Sequence, residues 1–210
     1  MQGINHFMNV EREKAYVLFE KAVDLDSSLF ACHTALAIMS RGDKRENHKA
    51  MAKKYVTNEN ETSKLFVSLL DIAFDSTGTD QRREVWGKMH ELSNGPFIHF
   101  QYATSLEDNL ETIQELDKLK AILEEIGMST GFVSNIKGYY YQLLGDLDKG
   151  TAEIDQYLTQ YPDGYNPLDS RAEFYLFAGD TATAIQFYEK TLERFPFAVS
   201  PQRALDDLKK

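Results

Sequence analysis

The chain has 210 residues and a formal charge of −10, from 33 acidic and 23 basic side chains. That balance disfavours nucleic acid and anionic membrane surfaces, which are held largely by Lys and Arg, and otherwise serves solubility. Apolar content of 42% is near the globular norm and too high for a disordered chain.

Met1-Gln2-Gly3-Ile4 lacks the basic start and apolar run of an export signal. It reads as the middle of a helix with Gly3 at a crossing, so the natural chain is expected to begin earlier, and a removed export signal fits that expectation. Residues 11–25 place Ala15, Leu18, Phe19, Ala22, Val23 and Leu25 on one stripe at helical spacing. Glu11 and Glu13 fall in its first turn, where the helix dipole favours acids. Helices are predicted over 29–40, ended by Gly42, and over the basic segment 44–56. Thr62 is the expected N-cap of 62–74, whose Phe66, Leu69, Leu70 and Phe74 share a face.

The next helix, 79–93, carries Val85, Trp86, Met89 and Leu92 and is stopped by Asn94-Gly95-Pro96. A short aromatic helix covers 97–106. Residues 108–126 follow with Leu110, Ile113, Leu116, Leu119, Leu123 and Ile126. Ser129 or Thr130 is expected to cap 131–144, and 147–160 completes that pair. Asn166 or Asp169 is expected to cap a helix reaching Phe177, with Pro167 tolerated in its first turn. After 181–195, a last helix over 198–208 would be capped by Ser200 with Pro201 at its first position. Arg203, Asp206, Asp207, Lys209 and Lys210 would give it the polar outer face that a terminal repeat needs.

These elements have a period. Gly145-Asp146 and Gly179-Asp180 are 34 residues apart, as are Tyr161-Pro162 and Phe195-Pro196. Subtracting that step repeatedly lands in or beside breaks back to the N-terminus: Gly127-Met128-Ser129, Asn94-Gly95-Pro96, Asn58-Glu59-Asn60 and Asp26-Ser27-Ser28. A repeat of this length is one helix–turn–helix unit, which must stack on its neighbours to bury its apolar face.

The second half resembles tetratricopeptide repeats. Gly138 and Gly150 match that family's two small crossing positions, and Ala172 and Ala184 match them one period later. Tyr141 and Tyr175 match its aromatic position in helix A. Ile154 and Tyr188 match the large residue of helix B, and Leu158 and Leu192 the leucine one turn on. Ala15, Phe19, Ala22 and Val23, leading to Asp24-Leu25-Asp26 and Leu36-Ala37, resemble an earlier repeat. Asn166-Pro167-Leu168-Asp169-Ser170 with Ala172-Glu173 resembles a segment of bacterial repeat proteins that are often exported.

The resemblance implies an all-α, right-handed solenoid of about six antiparallel helix pairs with a C-terminal capping helix. It would be one array over 1–210. Residues 131–164 and 165–198 are its best-matching repeats, and 1–130 holds degenerate ones. Gly138 and Gly150 would meet where a missing Cβ lets the helices approach.

No catalytic or metal-binding pattern emerges. Cys32 is the sole cysteine, so no internal disulfide forms, and in its apolar run it reads as a small buried hydrophobe. Among His6, His33, His48, His90 and His99 no metal-ligand spacing occurs; His33 is expected to be packed and the others solvated. Asp24-Leu25-Asp26 begins like a calcium loop but has Leu29 and Ala35 where Gly and Glu are needed. No phosphate-binding loop or nucleophile elbow is present, and Asn60-Glu61-Thr62 is a glycosylation pattern short enough to arise by chance. The expectation is a protein with no catalytic residue, metal or cofactor, and no apolar run long enough to span a membrane.

In tetratricopeptide arrays helix A lines the concave groove. Carried over by register, that points to Phe132, Asn135, Tyr139 and Gln142, and to Asn166, Asp169, Glu173 and Phe177. In repeat four it points to Ile98, Gln101 and Ser105. Aromatic and amide groups suit an extended peptide, and Asp169 and Glu173 disfavour an acidic tail. Of Tyr139-Tyr140-Tyr141, Tyr141 is expected in the core. The function implied is a non-enzymatic scaffold that binds a protein segment; a regulatory or structural module of a longer chain is the alternative. Compartment, partner and oligomeric state are left open.

Overall fold

The structure is a computed structural model and describes residues 2–93 and 95–208. Expectations that fall on Met1, Asn94, Lys209 and Lys210 lie outside the described residues. Regular structure among the described residues is helical throughout: α1 (Gln2–Met8), α2 (Arg12–Leu25), α3 (Phe30–Met39), α4 (Gly42–Tyr55), α5 (Glu61–Ser68), α6 (Thr79–Leu92), α7 (Pro96–Ala103), α8 (Asn109–Glu125), α9 (Gly131–Leu143), α10 (Leu147–Gln160), α11 (Asn166–Phe177), α12 (Thr181–Arg194) and α13 (Val199–Leu208). In chain order these are six helix pairs and a last helix. None of them is long and apolar enough to cross a membrane.

The Gly-Asp dipeptides explain the period. Gly145 and Gly179 both have φ of 80°, a left-handed conformation that costs glycine nothing. Each closes helix A with a paired set of bonds. Gly145 N–H donates to the Gln142 carbonyl at 3.0 Å and Asp146 N–H to Tyr141 at 2.9 Å; Gly179 N–H donates to Leu176 at 3.0 Å and Asp180 N–H to Tyr175 at 2.8 Å. The aspartate then opens helix B, because its carboxylate accepts from Lys149 N–H at 3.1 Å and from Thr183 N–H at 3.0 Å. One dipeptide thus ends one helix and starts the next.

The described residues form two compact units, the first made of residues 2–7 and Lys14–Glu107, the second of Met8–Glu13 and residues 108–208. The first unit is built on three apolar clusters. Ala15 and Phe19 of α2 meet Ala35 and Leu36 of α3. Ala37, Ala52, Val56, Val67 and Leu70 join α3, α4 and α5. Leu69, Trp86 and Met89 form the third, rimmed by Phe66 and Phe97, whose rings lie 5.8 Å apart edge to face.

In the second unit α8 packs on α9, α9 on α10, α10 on α11, α11 on α12 and α12 on α13. Gly138 and Gly150 meet as expected. A Cβ on Gly150 would lie 2.8 Å from the Gly138 carbonyl oxygen and 2.8 Å from the Phe174 ring, and one on Gly138 would lie 2.8 Å from Ile154 Cδ1. Helix α9 also buries Lys137, 4% exposed, whose ammonium lies 2.6 Å from both Asp117 and Glu153. Burial pushes its pKa down, but the two carboxylates outweigh this and hold it above the usual lysine value.

Several local expectations are corrected. The helix predicted over 62–74 ends at Ser68 and passes through a 3₁₀ turn, Leu69–Asp71. Asp75 then captures the chain by accepting from Thr77 N–H at 2.9 Å. Phe74, outside any helix, is half exposed beside the Arg45 guanidinium, 4.9 Å from its ring centroid. Asn60, not Thr62, caps α5 by accepting from Ser63 N–H at 2.9 Å.

Of the two expected caps, Thr130 makes no capping bond with its side chain, while the Ser129 hydroxyl accepts from Gly131 N–H at 3.4 Å. Gln160 also takes part, accepting from Thr130 N–H at 3.1 Å and from the Thr130 hydroxyl at 2.6 Å. Leu25, Leu92, Leu110 and Ile126 sit on predicted apolar stripes but are more than half exposed, because each lies near a helix end. Cys32 is half-buried, and burial raises its thiol pKa.

His99 is buried rather than solvated, and His48 and His90 are half-buried. His33 Nδ1 lies 3.0 Å from His48 Nδ1, and the His90 ring stacks on Tyr102 with centroids 4.5 Å apart. Tyr141 is half-buried between the Lys137 and Lys149 ammonium groups, 5.9 and 5.6 Å from its ring centroid. The fully buried tyrosines among the described residues of this unit are Tyr157 and Tyr188.

Candidate functional site: the groove of the second unit

A groove of about 730 Å³ opens in the second unit. Asn135, Ile136 and Tyr139 of α9 form one wall. Tyr165 and the α11 residues Asn166, Asp169, Ser170 and Glu173 form the floor, and Ser200, Pro201, Arg203 and Asp207 of α13 the other wall. Val10, Arg12 and Glu13 close one side.

The floor is fixed by Glu11, which is fully buried. Its carboxylate accepts from Tyr165 N–H at 2.6 Å and from the Tyr161 hydroxyl at 3.0 Å. Tyr165 is the residue before α11, so Glu11 satisfies an open donor at that helix start and sits where the dipole favours an anion. The expectation that Glu11 serves the first turn of its own helix is corrected: it precedes α2 and serves α11. The Tyr157 hydroxyl lies 3.1 Å from the Asn9 carbonyl and 3.2 Å from Asn166 Oδ1. Asn166 and Asp169 do not cap α11 as expected, since Asn166 Oδ1 also accepts from Asn135 Nδ2 at 3.4 Å. Between α9 and α11, Ser170 donates to Asn135 Oδ1 at 2.9 Å.

Three carboxylates crowd this floor. Glu173 accepts from the Tyr139 hydroxyl. Glu13 accepts from the Tyr165 hydroxyl at 2.5 Å, and the Val199 N–H of α13 approaches its other oxygen at 3.5 Å. Asp169 is 5% exposed, and its Oδ1 has no hydrogen-bond partner. Burial, then the Glu173 charge, push its carboxyl up to about 7, with Glu13 adding to the rise and the Ser200 hydroxyl opposing it. Burial also raises Glu173, and it raises Tyr139 and Tyr165 far above the ordinary tyrosine value, with the carboxylates beside them adding to the rise.

Of the eight positions read from the register, Asn135, Tyr139, Asn166, Asp169 and Glu173 line this groove. Phe132 is buried, Gln142 half-buried and Phe177 44% exposed, and none of them lines it. In the first unit, Ile98 borders an apolar pocket with Phe7, Phe66 and Phe97, while Gln101 and Ser105 border a second one. Glu11, Glu13, Tyr165 and Ser200 were missed. Glu11 and Glu13 meet partners more than 150 residues away, and Ser200, expected as a cap, faces Asp169.

The arrangement defines an all-α helical-repeat protein with a concave polar groove on its helix-A side. Neither a protein-family model nor a curated protein matches the chain. Solved structures do. The Cut9–Hcn1 hetero-tetramer of the APC/C is matched with a TM-score of 0.59 at 15% identity over 99% of this chain and 41% of that one. Yeast Tom70 is matched with a TM-score of 0.58 at 14% identity over 93% and 42%. A thermophilic TPR protein of Thermus thermophilus gives 0.52 at 17% identity over 99% and 95%. The chain therefore has the tetratricopeptide-repeat fold, and it spans about two fifths of the Cut9–Hcn1 and Tom70 chains.

Proposed function

We propose that the chain is a non-enzymatic interaction scaffold whose second unit holds an extended segment of a protein partner. Helical-repeat folds commonly present concave surfaces to partners. The observation that supports this reading most is the groove, about 730 Å³ in volume and lined from α9, α11 and α13 by aromatic, amide and carboxylate groups. Aromatic faces give contact area at low entropic cost, and amides meet the backbone of an extended chain. The named partners of the similar structures share only a fold with this chain and lend the reading no particular ligand.

A peptide selected from a displayed library against the full chain tests the reading. Hydrogen exchange should then show protection in α9, α11 and α13. Protection confined to the first unit, or no selected binder, would refute it.

A further inference from the structure

The groove floor is chemically lopsided. Glu173 and Glu13 both lie close enough to act on Asp169, and the hydrogen bonds of the two glutamates come from tyrosines and a backbone amide. A buried carboxylate is ordinarily paired with a cation or fully hydrogen-bonded, because its desolvation is otherwise uncompensated. Asp169 meets neither condition: it is 5% exposed, Oδ1 has no partner, and the charges that act on it are both acidic. Arg12 and Arg203 line the same groove but are exposed at its edge. An acid left in this state inside a concave pocket marks a place that a ligand completes.

We propose that the groove selects a basic segment of its partner, seating one Lys or Arg side chain against Asp169 and Glu173. This deepens the peptide-binding reading and rests on it. The cation supplies the missing donor to Asp169 Oδ1 and neutralises a cluster that the fold leaves uncompensated. The neighbouring Tyr139, half-buried in the groove wall, offers its ring to the aliphatic stem.

The test uses the full chain, fluorescently labelled, on an array of 12-residue peptides. The central residue is Lys, Arg, Nε-acetyl-lysine or Glu, and the flanks are neutral. Lys and Arg peptides should bind about thirtyfold more tightly than acetyl-lysine peptides, the low end for removing one partner of a buried ion pair. Asp169→Asn should erase that preference, while Glu193→Gln, an equal charge change on the exposed face of α12, should keep it. Equal binding of lysine and acetyl-lysine peptides would overturn the inference and leave the peptide groove standing. Binding by no peptide would overturn both. Loss of preference in Glu193→Gln would assign the effect to overall charge and overturn the site. Competition by free spermidine at peptide-like concentrations would overturn the peptide as its source.

Discussion

Asp169→Asn should stabilise the protein, and by an amount that depends on pH in a defined direction. In the unfolded chain this carboxyl titrates near its ordinary value of about 4, whereas in the fold burial and Glu173 lift it to about 7. Between those values the folded state holds a proton that the unfolded state has released, so stability falls as pH rises. The penalty is absent below pH 4, grows from there to pH 7 and is constant above. At about 1.4 kcal/mol per pH unit over about three units, its ceiling is about 4 kcal/mol. Asn removes the titration and keeps an oxygen to accept from Ser200. Denaturant unfolding of both proteins at pH 3.5, 6 and 8 should show a stability difference near zero at the first and largest at the last. Taking the difference cancels most other titrating groups. A difference that stays flat across the range would refute the assigned burial and charge crowding.

Gly150→Ala should cost about 1–3 kcal/mol by overpacking, because the new Cβ meets the Gly138 carbonyl at 2.8 Å, and backbone cannot swing aside. Gly138→Leu should lower the melting temperature as well, and an unchanged transition in either variant would refute the close helix contact. Glu11→Ala should cost about 1–3 kcal/mol by leaving the Tyr165 amide without its acceptor. Glu11→Gln should cost less, and equal losses in the two would show that capping is not the cause. Lys137→Ala should cost about 1.5–3 kcal/mol by removing the 2.6 Å partner of buried Glu153 and leaving it only Lys120 at 3.7 Å, and Lys137→Met with Glu153→Leu should recover part of it; no recovery would argue against a weakly compensated buried charge. In the first unit, His48 is held below its ordinary pKa by burial and then by His33, so its contribution is present above about pH 6.5 and lost on acidification. His48→Asn should flatten the stability profile between pH 5 and 7, and an unchanged slope would reject the histidine pairing.

The helices and their period were legible because local signals repeat. The Gly-Asp turns set the α9–α10 and α11–α12 junctions, and the Gly138–Gly150 contact followed from the family resemblance carried over by register. Helix ends were less legible where a competing side chain decided them. The helix predicted over 62–74 tightens into the 3₁₀ turn Leu69–Asp71 after Ser68, and Gln160, 30 residues from Thr130, joins Ser129 at the start of α9. Burial of His99 and the stacking of His90 on Tyr102 depend on rings brought together by tertiary packing. Five groove positions could be read because helix-A faces recur with the period. Glu11, Glu13 and Tyr165 could not, since their pairing spans most of the chain and leaves no local trace.

The cap on α11 has a consequence for synthesis. The Glu11 carboxylate emerges 154 residues before the Tyr165 amide that it serves. At about 5–20 residues per second, it waits about 8 to 30 s for its partner. During that interval a side chain destined for complete burial stays hydrated, and the groove floor cannot set before the last two helix pairs exist. The second unit is also discontinuous in sequence. A single cut after Glu107 would yield a fragment that lacks Met8–Glu13, so the C-terminal repeats cannot be isolated complete by truncation; adding that hexapeptide back in trans would be the way to restore the floor.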